Sequence, residues 1–223
     1  MTKKVKRIII KSIFNTLILG SIVFLTASFG PFIQFEIIYK LFNLTGKSYK
    51  LDVAHGSSNI TLIQAIFSDK NTILIKPQNP NFDIIIPKIG LNEQIVDNVN
   101  SSDPNAVVDA LKVGVGRARG TAYPNEFGNI YLFAHSSTNA LSIDRYNAVF
   151  TLLRDLKNGD LIYIFYKGRQ YTYTVYTKKT VSPNDTSDIT FNSSFPQITL
   201  QTCDPPGFNI NRLLIQARRV ENH

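Results

Sequence analysis

At 223 residues the chain has room for one domain with its own core and an N-terminal extension. Its net charge is +8, but Lys3, Lys4, Lys6, Arg7 and Lys11 supply five positive charges before any acid occurs, leaving only +3 for the remainder. That residual field is weak and no basic stripe is interleaved with aromatics, which argues against nucleic acid as partner; one cysteine excludes an intramolecular disulfide.

Residues 1–11 read as a basic cytoplasmic tail and 12–35 as a transmembrane signal-anchor. A bilayer core takes about 20 apolar residues, and residues 12–33 meet that length. The preceding Lys/Arg cluster favours a cytoplasmic N-terminus, with the remainder outside the cell membrane. Thr26-Ala27-Ser28 could end a cleaved signal, but apolar character continues through Phe29, Phe32, Ile33 and Phe35, which favours an uncleaved anchor. An extracytoplasmic, unpaired thiol then stands out as reactive.

Residues 36–80 read as an extracytoplasmic spacer, with a short helix expected over 60–67 and a strand over 72–75. His55 falls in its loop-like part, and Pro77 and Pro80 mark the boundary with a domain over 81–223. In that domain Ile84-Ile85-Ile86 is a strand broken at Pro87. Asp103 can cap a helix that has Pro104 in its first turn and Gly114 at its end. A second short helix is expected over 148–156, and residues 161–166, Lys167-Gly168 and 170–177 read as a β-hairpin. Residues 183–196 form a long polar loop, whose Asp185 and Asp188 read as solvated and not as a metal site. Many short strands with few helices predict a mainly β barrel or sandwich.

Two strand-like runs close the chain: Thr199-Leu200-Gln201-Thr202-Cys203, and Arg212-Leu213-Leu214-Ile215-Gln216-Ala217 after a Pro/Gly-containing connection. Period-two alternation sets Gln201 and Cys203 on one face. In the second run, turning Leu213, Ile215 and Ala217 to the core leaves Arg212 outward, at the same end as Cys203. A permanently charged guanidinium beside a thiol can stabilise a thiolate or an oxyanion. His135 ends the strand-like run 129–134 and opens into Ser136, Ser137 and Thr138, well placed to serve a site at the rim of a sheet.

These residues resemble the sortases, cysteine transpeptidases of bacterial surfaces. T-L-Q-T-C followed by Arg212 is similar to the family's T-L-x-T-C…R signature, and Leu132-Phe133-Ala134-His135-Ser136-Ser137 resembles the segment that carries its histidine. Residues 83–92 resemble the first barrel strand, and 116–128 the G-T-x-x-P connection. The short Cys203-to-Arg212 connection looks more like classes C, D and E than class A, although no aromatic-bearing lid precedes the barrel.

The resemblance implies a closed eight-stranded β-barrel with a few short helices behind one transmembrane helix. It implies Cys203 as nucleophile, His135 as general acid and base, Arg212 as oxyanion donor, and Thr202 and Ser136 as substrate-binding. No metal or cofactor is implied. The implied partners are secreted proteins bearing a C-terminal L-P-x-T-G-like sorting signal, and an amine acceptor from peptidoglycan or a surface protein. Alternatives are a surface cysteine protease that hydrolyses the same intermediate, and a non-catalytic membrane-tethered β-domain.

Overall fold

A computed structural model describes residues 3–52, 71–135, 150–189, 193–205 and 210–220. The expected helix over 60–67 and His55 lie outside them, as do Ser136 and the first residues of the helix expected over 148–156. The chain opens with a 42-residue helix, α1 (Lys3–Leu44), followed by β1 (Ser48–Leu51) and β2 (Thr72–Ile75), which pair in parallel as a separate two-stranded sheet.

Eight further strands close a barrel. They are β3 (Phe82–Ile86), β4 (Leu91–Val99), β5 (Val115–Ala118), β6 (Asn129–Phe133), β7 (Leu161–Tyr166), β8 (Arg169–Val181), β9 (Gln197–Asp204) and β10 (Asn211–Val220). Their order round the barrel is β10-β8-β7-β3-β4-β5-β6-β9, with β9 returning to β10. Closure leaves no unpaired edge.

Local chemistry places the breaks. Pro87 ends β3 and starts a 3₁₀ turn, Pro87–Ile89, so the stretch expected as one first strand over 83–92 is two antiparallel strands, with Gly90 at φ 64° between them. Helix α2 (Pro104–Val113) begins where expected: the Asp103 carboxylate accepts from Asn105 N and Ala106 N, and Gly114 N donates to Ala110 O at the other end. The β7–β8 hairpin turns on Lys167 (φ 51°) and Gly168 (φ 73°), two left-handed residues that match the twist of the flanking strands. Where a longer helix was expected, the described residues hold a five-residue 3₁₀ turn, Thr151–Asp155, entered from Phe150.

The core explains why β3 does not alternate. Phe82, Ile84 and Ile86 point into the barrel with Leu132, Ile162, Ile164, Leu200 and Ile215. Ile85, on the outer face, is covered by Phe42, Tyr49, Ile73 and Ile75 from α1, β1 and β2. A strand buried on both faces reads as a continuous apolar run. Asp83 shares that covered face, accepting from Gln78 N, Asn79 N and Ile84 N at 2.5, 3.2 and 2.9 Å. Burial pushes its carboxyl up to about 7 despite these donors.

Candidate active site

Strands β9 and β10 pair antiparallel, with Arg212 directly opposite Cys203 and Leu213 opposite Thr202. Ile198 and Leu200 of β9 enter the core, as do Leu213, Ile215 and Ala217 of β10. Gln201, Cys203 and Arg212 therefore share the outer face, as alternation predicts. Cys203 and Arg212 are both half-buried. A Cα pair across an antiparallel ladder is about 4.5–5.5 Å apart, within reach of a thiol and a long guanidinium. Arg212 Nη1 donates to Asn211 O at 3.2 Å, which holds the head at this end of the strand.

The histidine arrives on the other side of β9. Strands β6 and β9 run parallel, with Phe133 beside Gln201, and the ladder continues as Ala134 N donates to Gln201 O at 3.2 Å. His135 and Cys203 each lie two residues beyond that Phe133–Gln201 pair. His135 O accepts from Phe150 N at 3.0 Å, tying the residue to the start of the 3₁₀ turn. Burial holds the His135 imidazole below its ordinary 6.5, since the charged form loses hydration. The strands that carry or lead to His135, Cys203 and Arg212 thus end side by side, in the order β6-β9-β10.

Thr202 points the other way: it is 3% exposed and its hydroxyl donates to Ala134 O at 3.1 Å, joining the ends of β6 and β9. It fixes the spacing between His135 and Cys203. Thr180 Oγ1 similarly donates to Asp204 Oδ2 at 3.2 Å, holding the cysteine end of β9 towards β8.

Several contributors were not foreseen from sequence. The Tyr131 hydroxyl donates a very short hydrogen bond to Gln201 Oε1. Burial lifts the Tyr131 phenol above its usual range; Asp188 reinforces the shift and Arg212 opposes it. Asp188, expected to be solvated, is 7% exposed: Gln216 Nε2 donates to its Oδ1 at 2.7 Å and Lys179 Nζ lies 2.9 Å away. Asn129 Nδ2 donates to Asp188 O at 2.8 Å, and Thr199 Oγ1 donates to Asn129 Oδ1 at 2.9 Å. These bonds lash the loop ahead of β9 to the outer face of β6, β9 and β10. Asp188 escapes the expected solvation because Gln216 supplies a donor and Lys179 a countercharge at the point of burial.

The Sortase domain family model matches residues 84–220, more than half of the chain. Sortase D of Bacillus subtilis (strain 168) is 30% identical over 156 residues, which cover 68% of this chain and 70% of that protein. Among solved structures, sortase C1 of GBS Pilus Island 1 superposes with a TM-score of 0.54 at 26% identity, covering 64% of each chain, just under two thirds of that structure. A Clostridium perfringens sortase D5 transpeptidase superposes with a TM-score of 0.52 at 26% identity, covering 66% of this chain and 82% of that one. A closed eight-stranded barrel that brings the ends of the histidine, cysteine and arginine strands together, and a family model that spans it, have one meaning: this chain belongs to the sortase family, the cysteine transpeptidases.

Proposed function

We propose that this sortase is anchored in the cell membrane by its N-terminal helix, cleaves an L-P-x-T-G-like sorting signal, and passes the acyl group to an amine of peptidoglycan or a surface protein. The pairing of Arg212 with Cys203, next to the β6 end that carries His135, is the observation that carries the reading. Cys203 as thiolate attacks the carbonyl carbon of the scissile bond, and the carbonyl electrons move onto oxygen. Arg212 donates to that oxyanion. Collapse breaks the C–N bond, and the leaving amine takes a proton from the His135 imidazolium. The resulting thioester is attacked by the acceptor amine, whose proton passes to the now neutral imidazole, and the Cys203 thiolate leaves. Tyr131 and Gln201 set the floor beside the thiol, and the Asp188-anchored loop forms a wall of the peptide groove. Thr202 serves the substrate site by pinning its strands, and Ser136, next to His135 in sequence, is assigned to substrate binding as well.

The anchor reading rests on α1: residues 4–24 within it are long and apolar enough to cross a bilayer, and the sequence of residues 25–33 stays largely apolar along the same helix. The basic tail stays in the cytoplasm and the barrel lies outside. Residues 36–80 then join the anchor to the catalytic domain.

Full-length protein mixed with a labelled L-P-x-T-G-like peptide is expected to show a thioacyl adduct on Cys203 by intact mass, and an amide product once an amine is added. Cys203→Ala is expected to give neither while its circular dichroism matches wild type. An adduct in Cys203→Ala defeats the nucleophile assignment, and a hydrolysed product unchanged by any amine makes the protein a protease.

A further inference from the structure

The outer half of α1 presents two different apolar faces, and only one of them is covered. At about 100° per residue, Tyr39 and Phe42 fall on one side of the helix. Tyr39 is 6% and Phe42 3% exposed; the Tyr39 hydroxyl donates to Lys88 O at 3.4 Å, and Phe42 stacks on Tyr49 with centroids 4.7 Å apart. Ile37, Leu41 and Leu44, spaced by four and three residues, form a stripe on the opposite side and are 51%, 47% and 82% exposed. Lys40 is exposed at the margin of the stripe, and Lys50 is exposed on the strand just beyond.

We infer that the outer part of α1, residues 34–44, lies along the outer leaflet of the bilayer. Ile37, Leu41 and Leu44 sit at the boundary between headgroups and acyl chains, and the barrel is carried on the other side of the helix. The inference rests on the anchor reading above. Continuity selects lipid as the occupant, because the stripe belongs to the same helix as the membrane span. With residues 12–33 in the hydrocarbon, Ile37 comes four residues later, about 6 Å along the axis. That is the depth of a headgroup layer, roughly 5–7 Å. Lysines at the edge of an apolar stripe can extend to lipid phosphates while their stems stay on apolar ground. Pro31 has no N–H to donate, so the helix gives up a hydrogen bond there and bends at least cost.

The arrangement would also orient the enzyme. Phe42 and Tyr49 grip the barrel at Ile85 of β3, and β3 lies four strands from β9 in either direction round the barrel. The wall that carries Cys203 therefore faces away from the wall held to the helix.

The test uses full-length Cys203→Ser protein with single cysteines introduced by Leu17→Cys, Leu41→Cys, Asn43→Cys or Leu44→Cys. Each is nitroxide-labelled and reconstituted in vesicles containing phosphatidylglycerol. Relaxation by lipid-soluble oxygen is compared with relaxation by a water-soluble nickel chelate. The oxygen-to-nickel ratio is expected to shift upward at positions 17, 41 and 44, and to stay low at position 43. If position 17 is in lipid while 41 and 44 match 43, the inference is overturned and the anchor stands. If position 17 is also in water, the anchor reading falls and takes the inference with it. Spin–spin broadening at 41 and 44 that grows with protein density would assign the stripe to a second copy and also overturn the inference.

Discussion

Arg212 meets Cys203 across a ladder, and two different jobs could follow from that position: lowering the thiol pKa by charge alone, or holding hydrogens on the developing oxyanion. The second is geometrically stricter, because the donors must stand about 2.7–3.1 Å from the oxygen. A guanidinium keeps several donors in one plane, whereas an ammonium is a point charge on a flexible stem. Arg212→Lys is therefore expected to lower sorting-peptide turnover by about 10-fold or more, a figure scaled down from loss of a whole oxyanion donor, while alkylation of Cys203 by a small reagent changes far less. Equal losses in both rates would leave Arg212 only a tuner of the thiolate. Arg218 and Arg219 serve as controls on the same strand. Arg218 is paired with Gln197 at the far end of β9, over the Phe195 ring at 4.1 Å, and Arg219 Nη1 donates to Pro124 O at 2.9 Å. Their alanine variants are expected to retain turnover. His135 carries the pH dependence. Its pKa is lowered by burial, so adding the proton is harder than in water and the imidazole titrates below 6.5. The imidazolium that donates to the leaving amine is therefore lost as pH rises through this lowered pKa, and the His135 ring protons followed by NMR are expected to titrate below pH 6.5, with their signals absent in His135→Gln. A midpoint at or above pH 6.5 would argue against a desolvated imidazole.

Among the elements, the β9–β10 pair was legible in advance and the loop in front of it was not. Alternation alone set Cys203 and Arg212 on one face, because the pleat has period two and Leu213, Ile215 and Ala217 could only point inward. The same rule marked the Lys167-Gly168 turn, and side-chain chemistry marked the Asp103 cap. Asp188 escaped notice because a Pro/Asn/Asp/Ser-rich stretch reads as solvated, while its partners lie far off in sequence: Gln216 is 28 residues ahead and Asn129 is 59 behind. Composition carries no signal for such a contact. Residues 36–52 were equally opaque, since a short strand and a helix end have no strong period of their own, yet they cover Ile85. The consequence of the Asp188 anchor can be measured. Asp188→Ala leaves the buried Gln216 amide without its acceptor, which costs about 1–3 kcal/mol. It also frees the loop that leads into the cysteine strand. KM for a sorting peptide is expected to rise several-fold, with alkylation of Cys203 near the wild-type rate. An unchanged KM would make the loop a connector with no part in the groove.

At the scale of the whole molecule, the barrel and the N-terminal helix are one packed object, and the joint between them is a small second core. Phe42, Tyr49, Ile73, Ile75 and Ile85 form it, with Leu51, Tyr163 and Phe165 packed at its edge. Tyr49 also stands against Gly90, where an added Cβ would come within 2.6 Å of the ring, so the backbone between β3 and β4 is shaped to receive it. Two adjacent residues of α1 separate packing from mere apolarity. Phe42 is 3% exposed and stacked on Tyr49, whereas Leu41 is 47% exposed on the other side of the helix. Removing a buried phenyl costs about 3–5 kcal/mol when the site cannot collapse around the loss. Here one wall of the site is a helix end that can shift, so the lower part of that range applies. Trimming Leu41 removes area that folding never took from water, and falls within about 0.5 kcal/mol. In detergent-solubilised full-length protein, Phe42→Ala is therefore expected to lower the Tm by several degrees, and Leu41→Ala to leave it in place. Hydrogen exchange locates the loss: amides of β1, β2 and β3 should open together in Phe42→Ala, because the phenyl is shared between all three. If Phe42→Ala and Leu41→Ala melt alike, the helix end only rests on the barrel, and the fold of residues 82–220 stands without it.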